Sequence, residues 1–348
     1  MAPTPSGPRS PEDQEWDRLV AEAKREGQVH VTGPQGDENR LALTEAFEKK
    51  YGITVDYLGV GGPELPPRIA NERGAGLYAW DVFMAGTTTL LRSLKPMGAL
   101  QPLEPALLLP EVKDPSNWRG DVLPWMDEDH TTLALLRRAG QYFYINTTMV
   151  SPAELTSWRN LLDPKWKGKI VMGRDPLVSG YGRAMFLFFY LHPDLGPDYI
   201  RQLARQDLQM LRDDRTGAQW LAQGRYPICF CSNVESDKLV QDGLPIAVVD
   251  PRSMREGTHT TSGPANIALA DHAPHPNAAK LYLNWVLSRE GESLLAKSMG
   301  DPSTRADVPA DNANSWAVPD PSWMVTNGEV ALEYEEPLLA LLNELFAR

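Results

Sequence analysis

Cysteine is nearly missing from this 348-residue chain: only Cys229 and Cys231 occur, in "CFC". That excludes a four-cysteine zinc site or an iron–sulfur cluster. In a strand the two would share one face, and they read as buried core thiols, with a strained disulfide between them not expected. No run of about 18 apolar residues occurs, so no membrane-spanning helix is expected. Positive charge is in short supply, with 34 Lys and Arg against 46 Asp and Glu for a net −12. That balance argues against nucleic acid or an acidic membrane surface as the partner. The chain also lacks a Gly-X-Ser-X-Gly elbow, a His-Glu-X-X-His pair, a dinucleotide fingerprint and a Gly-Lys-Ser/Thr phosphate loop. No enzyme, no cofactor and no metal site are expected.

The first residues, "MAPTPSGPRSPEDQ", lack the apolar core of a signal peptide. Either the protein is cytoplasmic or the sequence is a mature form with an added Met. Residues 1–13, Pro-rich and polar, are expected to form a flexible leader.

What is present is a strand–helix alternation long enough for two lobes. Hydrophobic residues make up 42%, enough for a packed globular protein. "EDQEWDRLVAEAKRE" places Trp16, Leu19, Val20 and Ala23 on one helical face, and Gly27 stops it. Then follow strand "QVHVTG", helix "ENRLALTEAFEKKYG", strand "ITVDYLGVGG", the short helix "PELPPRIANERGAG" and strand "WDVFMAGTT". This rhythm predicts a parallel sheet with right-handed crossovers. After a proline-rich stretch, "TTLALLRR" and "GQYFYIN" read as strands. A second alternation runs through strands "KIVMGR", "LQMLRD", "PICFC" and "PIAVVD", with helices from about Tyr181, near 197–206, and over "TGAQWLAQG" and "VESDKLVQDG". Strand "ANIALAD" and the helices "HPNAAKLYLNWVLS", "REGESLLAKSMG" and "EPLLALLNELFAR" close the chain.

Six stretches, in order and at matching spacing, resemble the substrate-binding components of bacterial ABC importers, in the group of periplasmic ferric-iron-binding proteins and their relatives for organic ligands. They are "LVAEAKREGQVHVTG", "LTEAFEKKYGITVDYLGVGGPEL", "WDVFMAG", "SWRNLLDPKWKGKIVMGRDP", "APHPNAAKLYLNWVLSREGESLL" and "PSTRADVP", over roughly residues 14–310. The "SWRNLLDPKWKGK" run is the most specific. The resemblance implies an α/β, two-lobed periplasmic binding protein fold of type II, each lobe a mixed sheet flanked by helices, with a hinge. Lobe 1 is expected over 14–138 with 258–300 and lobe 2 over 139–257. Residues 301–348 are expected to be a C-terminal helical segment packing on the lobes. It further implies capture of a small solute in the cleft and delivery to an ABC permease by a monomer outside the cytoplasm, periplasmic or membrane-anchored, its signal peptide removed.

The iron-binding relatives hold the metal with a tyrosine pair whose matching positions here are Val234 and Glu235, and with His and Glu ligands falling near Gln35 and Gly86. None supplies that donor set, so a small polar organic, anionic solute is expected in place of Fe³⁺. In the same relatives the turn matching Ser179, Gly180 and Tyr181 holds an accessory anion on helix N-terminal amides, and the physics of a helix start agrees. The plainer alternative is that Ser179 only caps a helix. Further candidates at strand ends are Gln35, Thr87 and Thr88 in the first lobe. Arg174 and Arg183 could fork onto a carboxylate or phosphate. Asp214 and Arg215 begin a helix where relatives place an anion-contacting Asn. An Asp there would repel a bare anion and suit an amine or hydroxyl. Ser232 and Asn233 fall at the contact strand end. Tyr142, Tyr144 and Tyr181 could stack on a ring, although strand tyrosines usually pack in cores. A sensor domain of the same fold is the rival, but neither a helix-turn-helix nor a membrane segment accompanies it.

Overall fold

The computed structural model describes residues 10–140, 142–177, 180–231, 233–311 and 313–347, with the backbone alone for Gly180, Tyr181, Asn233 and Val234. The chain divides into two compact units, residues 1–137 with 262–315 and residues 138–261 with 316–348. Residues from 301 onward are thus shared between the units instead of forming one segment.

Unit 1 contributes β1 (Gln28–Gly33), β2 (Thr54–Gly59), β3 (Val82–Ala85), β4 (Leu100–Gln101) and β5 (Leu133–Ala134). Unit 2 carries β6 (Arg138–Ala139), β7 (Phe143–Asn146), β8 (Ile170–Met172), β9 (Gln209–Met210), β10 (Ile228–Phe230), β11 (Ile246–Val249) and β12 (His259–Thr261). The chain re-enters unit 1 at β13 (Asn266–Ala270) and returns to unit 2 with β14 (Met324–Val325). The helices are α1 (Pro11–Glu26), α2 (Asp37–Tyr51), α3 (Leu65–Gly74), α4 (Pro110–Lys113), α5 (Gly180–Leu191), α6 (Gly196–Ala204), α7 (Asp214–Ala222), α8 (Asn233–Gln241), α9 (Pro276–Leu287), α10 (Arg289–Met299), α11 (Glu329–Glu333) and α12 (Glu335–Phe346).

Unit 1 is built on a mixed sheet of order β2-β1-β3-β13-β4, with β5 also on β13. The neighbours β2, β1 and β3 are parallel, and β13 runs against β3, β4 and β5. Unit 2 has the order β11-β7-β10-β8-β9, in which β10, β8 and β9 are parallel and β7 opposes β10. A small sheet β14-β12-β6 completes it.

Local chemistry explains the boundaries. Ser10 and Asp13 form a reciprocal capping box with Pro11 in the first turn. Residues 10–13 therefore open α1, which corrects the expected leader; residues 1–9 lie outside the described residues. Gly27 and Gly52 close α1 and α2 in the left-handed conformation, φ 76° and 69°, which costs glycine no Cβ clash. "TTLALLRR", expected as one strand, splits. Its first part, β5, pairs with β13 in unit 1 and its end, β6, with β12 in unit 2.

Each unit has its own aromatic core. In unit 1, Phe47 meets Tyr282 and Trp285. In unit 2, Trp158 of the "SWRNLLDPKWKGK" run packs on Phe143, Phe189 and Phe230 and donates its indole N–H to Gly257 O at 2.7 Å. Such rings bury large apolar areas and find a partner for the polar tip.

The cysteines depart from expectation: Cys229 and Cys231 are joined as a disulfide, not held as free core thiols. Alternation along β10 puts both sulfurs on one face, and the Cα atoms are 5.3 Å apart, within the span a disulfide bridges. Helix α7 lies close over that face. A Cβ on Gly217 would stand 2.8 Å from Cys231 Sγ and 3.0 Å from Cys229 Sγ.

Candidate functional site

Parallel strands end on one edge of a sheet, and in such sheets ligands bind at the strand C-terminal ends. In unit 2, β8, β9 and β10 end together, and each leads into a helix: α5, α7 and α8. Three helices thus begin on one edge, each with the positive end of its dipole there.

The end of β8 continues into Gly173 and Arg174. Gly173 N–H donates to Phe230 O at 2.9 Å, extending the ladder to β10. Asp214 lies so close that a Cβ on Gly173 would collide with its carboxylate, so only glycine fits there. Arg174 Nε donates to Asp214 Oδ2. Asp214 is mostly buried while Arg174 is 42% exposed, so the guanidinium keeps an open side. The neighbour Asp213 is the cap of α7: it accepts from Arg215 N at 3.1 Å and Thr216 N at 3.0 Å. The Thr216 hydroxyl, with these amides, holds the Asp213 carboxyl below its usual range. Asp213 supplies the cap, and Asp214 pairs with Arg174. Arg215 is exposed beside them.

The opening of α5 shows what one glycine does. Gly182 lies on the backbone of Arg174–Pro176, with a Cβ there meeting Arg174 O at 2.5 Å. That contact seats the helix start beside Arg174. Ser179 and Ser232 lie outside the described residues, and Gly180, Tyr181 and Asn233 are placed by backbone only, at the first residues of α5 and α8.

Arg183 corrects one expectation. Its Nη1 donates to Glu335 Oε1 at 2.5 Å, and Nε and Nη2 approach Pro176 O and Leu177 O at 3.3 and 3.4 Å. The side chain ties α5 to α12 and is not offered to a solute. Tyr142 packs on Trp316 with ring centres 4.2 Å apart. Tyr144 is buried and donates to Asp237 Oδ1 at 2.6 Å. Burial pushes the Asp237 carboxyl up, against the pull of that hydrogen bond.

In unit 1 the corresponding edge carries the uncharged candidates Gln35, Thr87 and Thr88. Gln35 is exposed between β1 and α2, where its carbonyl accepts from Asn39 Nδ2 at 2.9 Å. Thr87 is buried and Thr88 exposed, at the start of a π-helical turn over Thr88–Leu94, where no side-chain cap forms. Asn266 of β13 ties this edge together, donating to Ala85 O at 2.9 Å and accepting from Ser262 Oγ at 2.6 Å.

One residue escaped the sequence reading. β5 runs parallel in sense to β3, since both oppose β13, and Ala134 and Ala85 both pair with Asn266. Arg137, three residues on, therefore belongs to the same strand-end edge as Thr87. Burial pushes its guanidinium down to about 10. Its Nη2 reaches only Met126 Sδ at 3.4 Å, and its Nε has no hydrogen-bond acceptor among the described residues. The signal was an arginine closing an apolar strand.

The iron-type donor set is absent at the expected places. Gln35 and Gly86 stand there in unit 1; in unit 2 Glu235 is half-buried on α8 and the Val234 side chain lies outside what is described.

Comparison with known proteins agrees with this architecture. Residues 42–320 match the family of bacterial extracellular solute-binding proteins. The chain belongs to that family, whose members serve ABC import outside the cytoplasm. No helix of the described residues is long and apolar enough to cross a membrane. In sequence the chain is 22% identical to Iron uptake protein A1 of Synechocystis sp. over 289 residues, 78% of this chain and 74% of that protein. In structure it is similar to a Trichodesmium protein (IdiA, FutA) solved in complex with iron and citrate ligands, with TM-score 0.69, 21% identity and coverage of 92% and 100%. It is also similar to AfuA of Actinobacillus pleuropneumoniae with fructose-6-phosphate bound, with TM-score 0.59, 19% identity and coverage of 92% and 99%. These neighbours share the type II periplasmic binding protein fold.

Proposed function

We propose that this protein captures a small polar organic solute bearing an anionic group, delivers it to an ABC permease, and acts by binding alone, without chemical turnover. The observation that carries the reading is Arg137: a partly buried guanidinium whose buried Nε has no acceptor among the described residues, on a strand-end edge. A cation partly withdrawn from water without a full set of acceptors is costly, and an anionic ligand would complete it. Arg174 supports the same charge sign, with the helix starts around it. Asp214 offsets part of that charge and offers an acceptor for a hydroxyl or amine on the solute.

The donor set argues against Fe³⁺, a hard ion needing several anionic oxygens. Gln35, Gly86, Val234 and Glu235 offer a single carboxylate. Among structures of this fold, one is described with iron and citrate and another with fructose-6-phosphate, so the architecture accommodates organic anions.

The test is a thermal-shift screen of sugar phosphates, phosphonates, carboxylates, polyols and amines, with mass spectrometry of ligand retained through purification. At least one organic anion should raise the melting temperature, and Arg137→Met or Arg174→Ala should weaken its binding tenfold or more. Tight Fe³⁺ binding with no organic ligand would overturn the reading.

A further inference from the structure

We propose that His30 and His275, positioned by the buried carboxylate of Asp81, form a binding site for a borderline transition-metal dication such as Zn²⁺, Ni²⁺ or Cu²⁺. One side-chain donor atom from each of the three residues lies within 4.8 Å of the others. The two imidazole rings have centres 4.8 Å apart at 67°.

The hydrogen bonds set both rings in the ligating tautomer. His30 Nδ1 is 2.8 Å from Ala79 O, which can only accept, so Nδ1 carries the proton. His275 Nδ1 is 2.9 Å from Asp81 Oδ2, a carboxylate, so it too is the donor. Each neutral ring then carries its lone pair on Nε2. Metal-ligating histidines are held in this way, the second nitrogen donating to a carbonyl or carboxylate. Asp81 is fully buried and also accepts the backbone N–H of His30 and of His275, both at 2.7 Å. It anchors both histidine backbones and one ring. It is a positioning residue, and the Nε2 atoms are the ligands.

Access and completion are available. His275 is 14% exposed, and its Nε2 lies 3.0 Å from Nε2 of exposed Gln28. Gln28 can turn away or present its amide oxygen, and water fills what remains. Imidazole suits Zn²⁺, Ni²⁺ and Cu²⁺, whereas two neutral nitrogens suit Fe³⁺ poorly. His30 precedes the end of β1 by three residues, about 10 Å of strand, so this cluster is separate from the strand-end edge that carries Gln35. The proposal stands apart from the solute reading.

The experiment is titration of the metal-stripped full chain with Zn²⁺ by calorimetry and with Cu²⁺ by electron paramagnetic resonance. One equivalent should bind, and the Cu²⁺ spectrum should show coupling to two nitrogens. His30→Ala, checked for native circular dichroism, should lower Zn²⁺ affinity at least tenfold and remove one nitrogen coupling. His30→Phe serves if the alanine variant folds poorly. His272→Ala, an exposed neighbour whose Nδ1 faces Asp271 at 2.6 Å, should change neither readout. Unchanged affinity in the folded His30 variant, equal loss in His272→Ala, or no binding by the parent chain would each overturn the proposal.

Discussion

The two units use the same alternation of parallel strand and helix, yet each holds a buried carboxylate in a different way. In unit 1 Asp81 has all its bonding spent inside the protein, on two backbone N–H groups and one imidazole. In unit 2 Asp214 meets a half-open guanidinium, Arg174, at an edge where three helices begin. A saturated carboxylate holds elements together; one paired with an exposed cation still has chemistry to offer. The same contrast separates the arginines. Arg183 is committed to Glu335, while the buried Nε of half-buried Arg137 has no acceptor among the described residues.

The comparison breaks first at Asp81. Asp81→Ala leaves the amides of His30 and His275 without acceptors, and each such group costs about 1–3 kcal/mol. Urea unfolding should show a loss of about 3–5 kcal/mol. Arg174→Ala should cost less than about 1 kcal/mol, as partly exposed ion pairs do, while weakening solute. Equal losses in the two variants would erase the distinction.

Next is the packing beneath the unit 2 edge. Gly217→Val drives a side chain into the Cys229–Cys231 sulfurs and should destabilise by up to about 3 kcal/mol, as overpacking does. A neutral result would show that α7 can lift without loss.

A pH dependence should also mark unit 2. His259 is buried against Gly140 and within 2.6 Å of Thr326 Oγ1, and burial pushes its imidazole down to about 3. The folded state keeps the ring neutral while the unfolded chain takes up a proton below about 6.5. Stability is therefore full above that pH and falls as pH drops toward 3, by about 2 kcal/mol between 6.5 and 5. His259→Gln should flatten that part of the urea-midpoint profile; an unaltered slope would assign it to other groups.

The last contrast lies at Arg183. Arg183→Ala removes a mostly buried ion pair with Glu335 and should cost about 1–3 kcal/mol, nearer the lower figure where α12 can adjust, with solute affinity unchanged. A tenfold affinity loss without loss of stability would return Arg183 to the solute.

Much of the scaffold was legible because its causes are local. The strand–helix rhythm, Gly27 and Gly52 as stops, and the proline-tolerant start of α3 follow from periodicity and backbone preference within a few residues. Strand alternation likewise put Cys229 and Cys231 on one face; that they bond was missed. The splitting of "TTLALLRR" was not legible, since an apolar run does not say which sheet will take each half. Part of the candidate site could be read as well: Arg174, Asp214 and the helix start at Gly180 share one edge because their strands are parallel neighbours.

The alternation of elements, the class of fold and the candidate strand ends rest on spacing along the chain and on resemblance, and could be read before any folding. What each polar side chain would meet was settled by packing. Asp81 joins residues 51 and 194 positions away, and Arg183 meets one 152 positions away. A buried charge takes whichever partner packing brings within about 3 Å, and that distance has no counterpart in the linear order of residues.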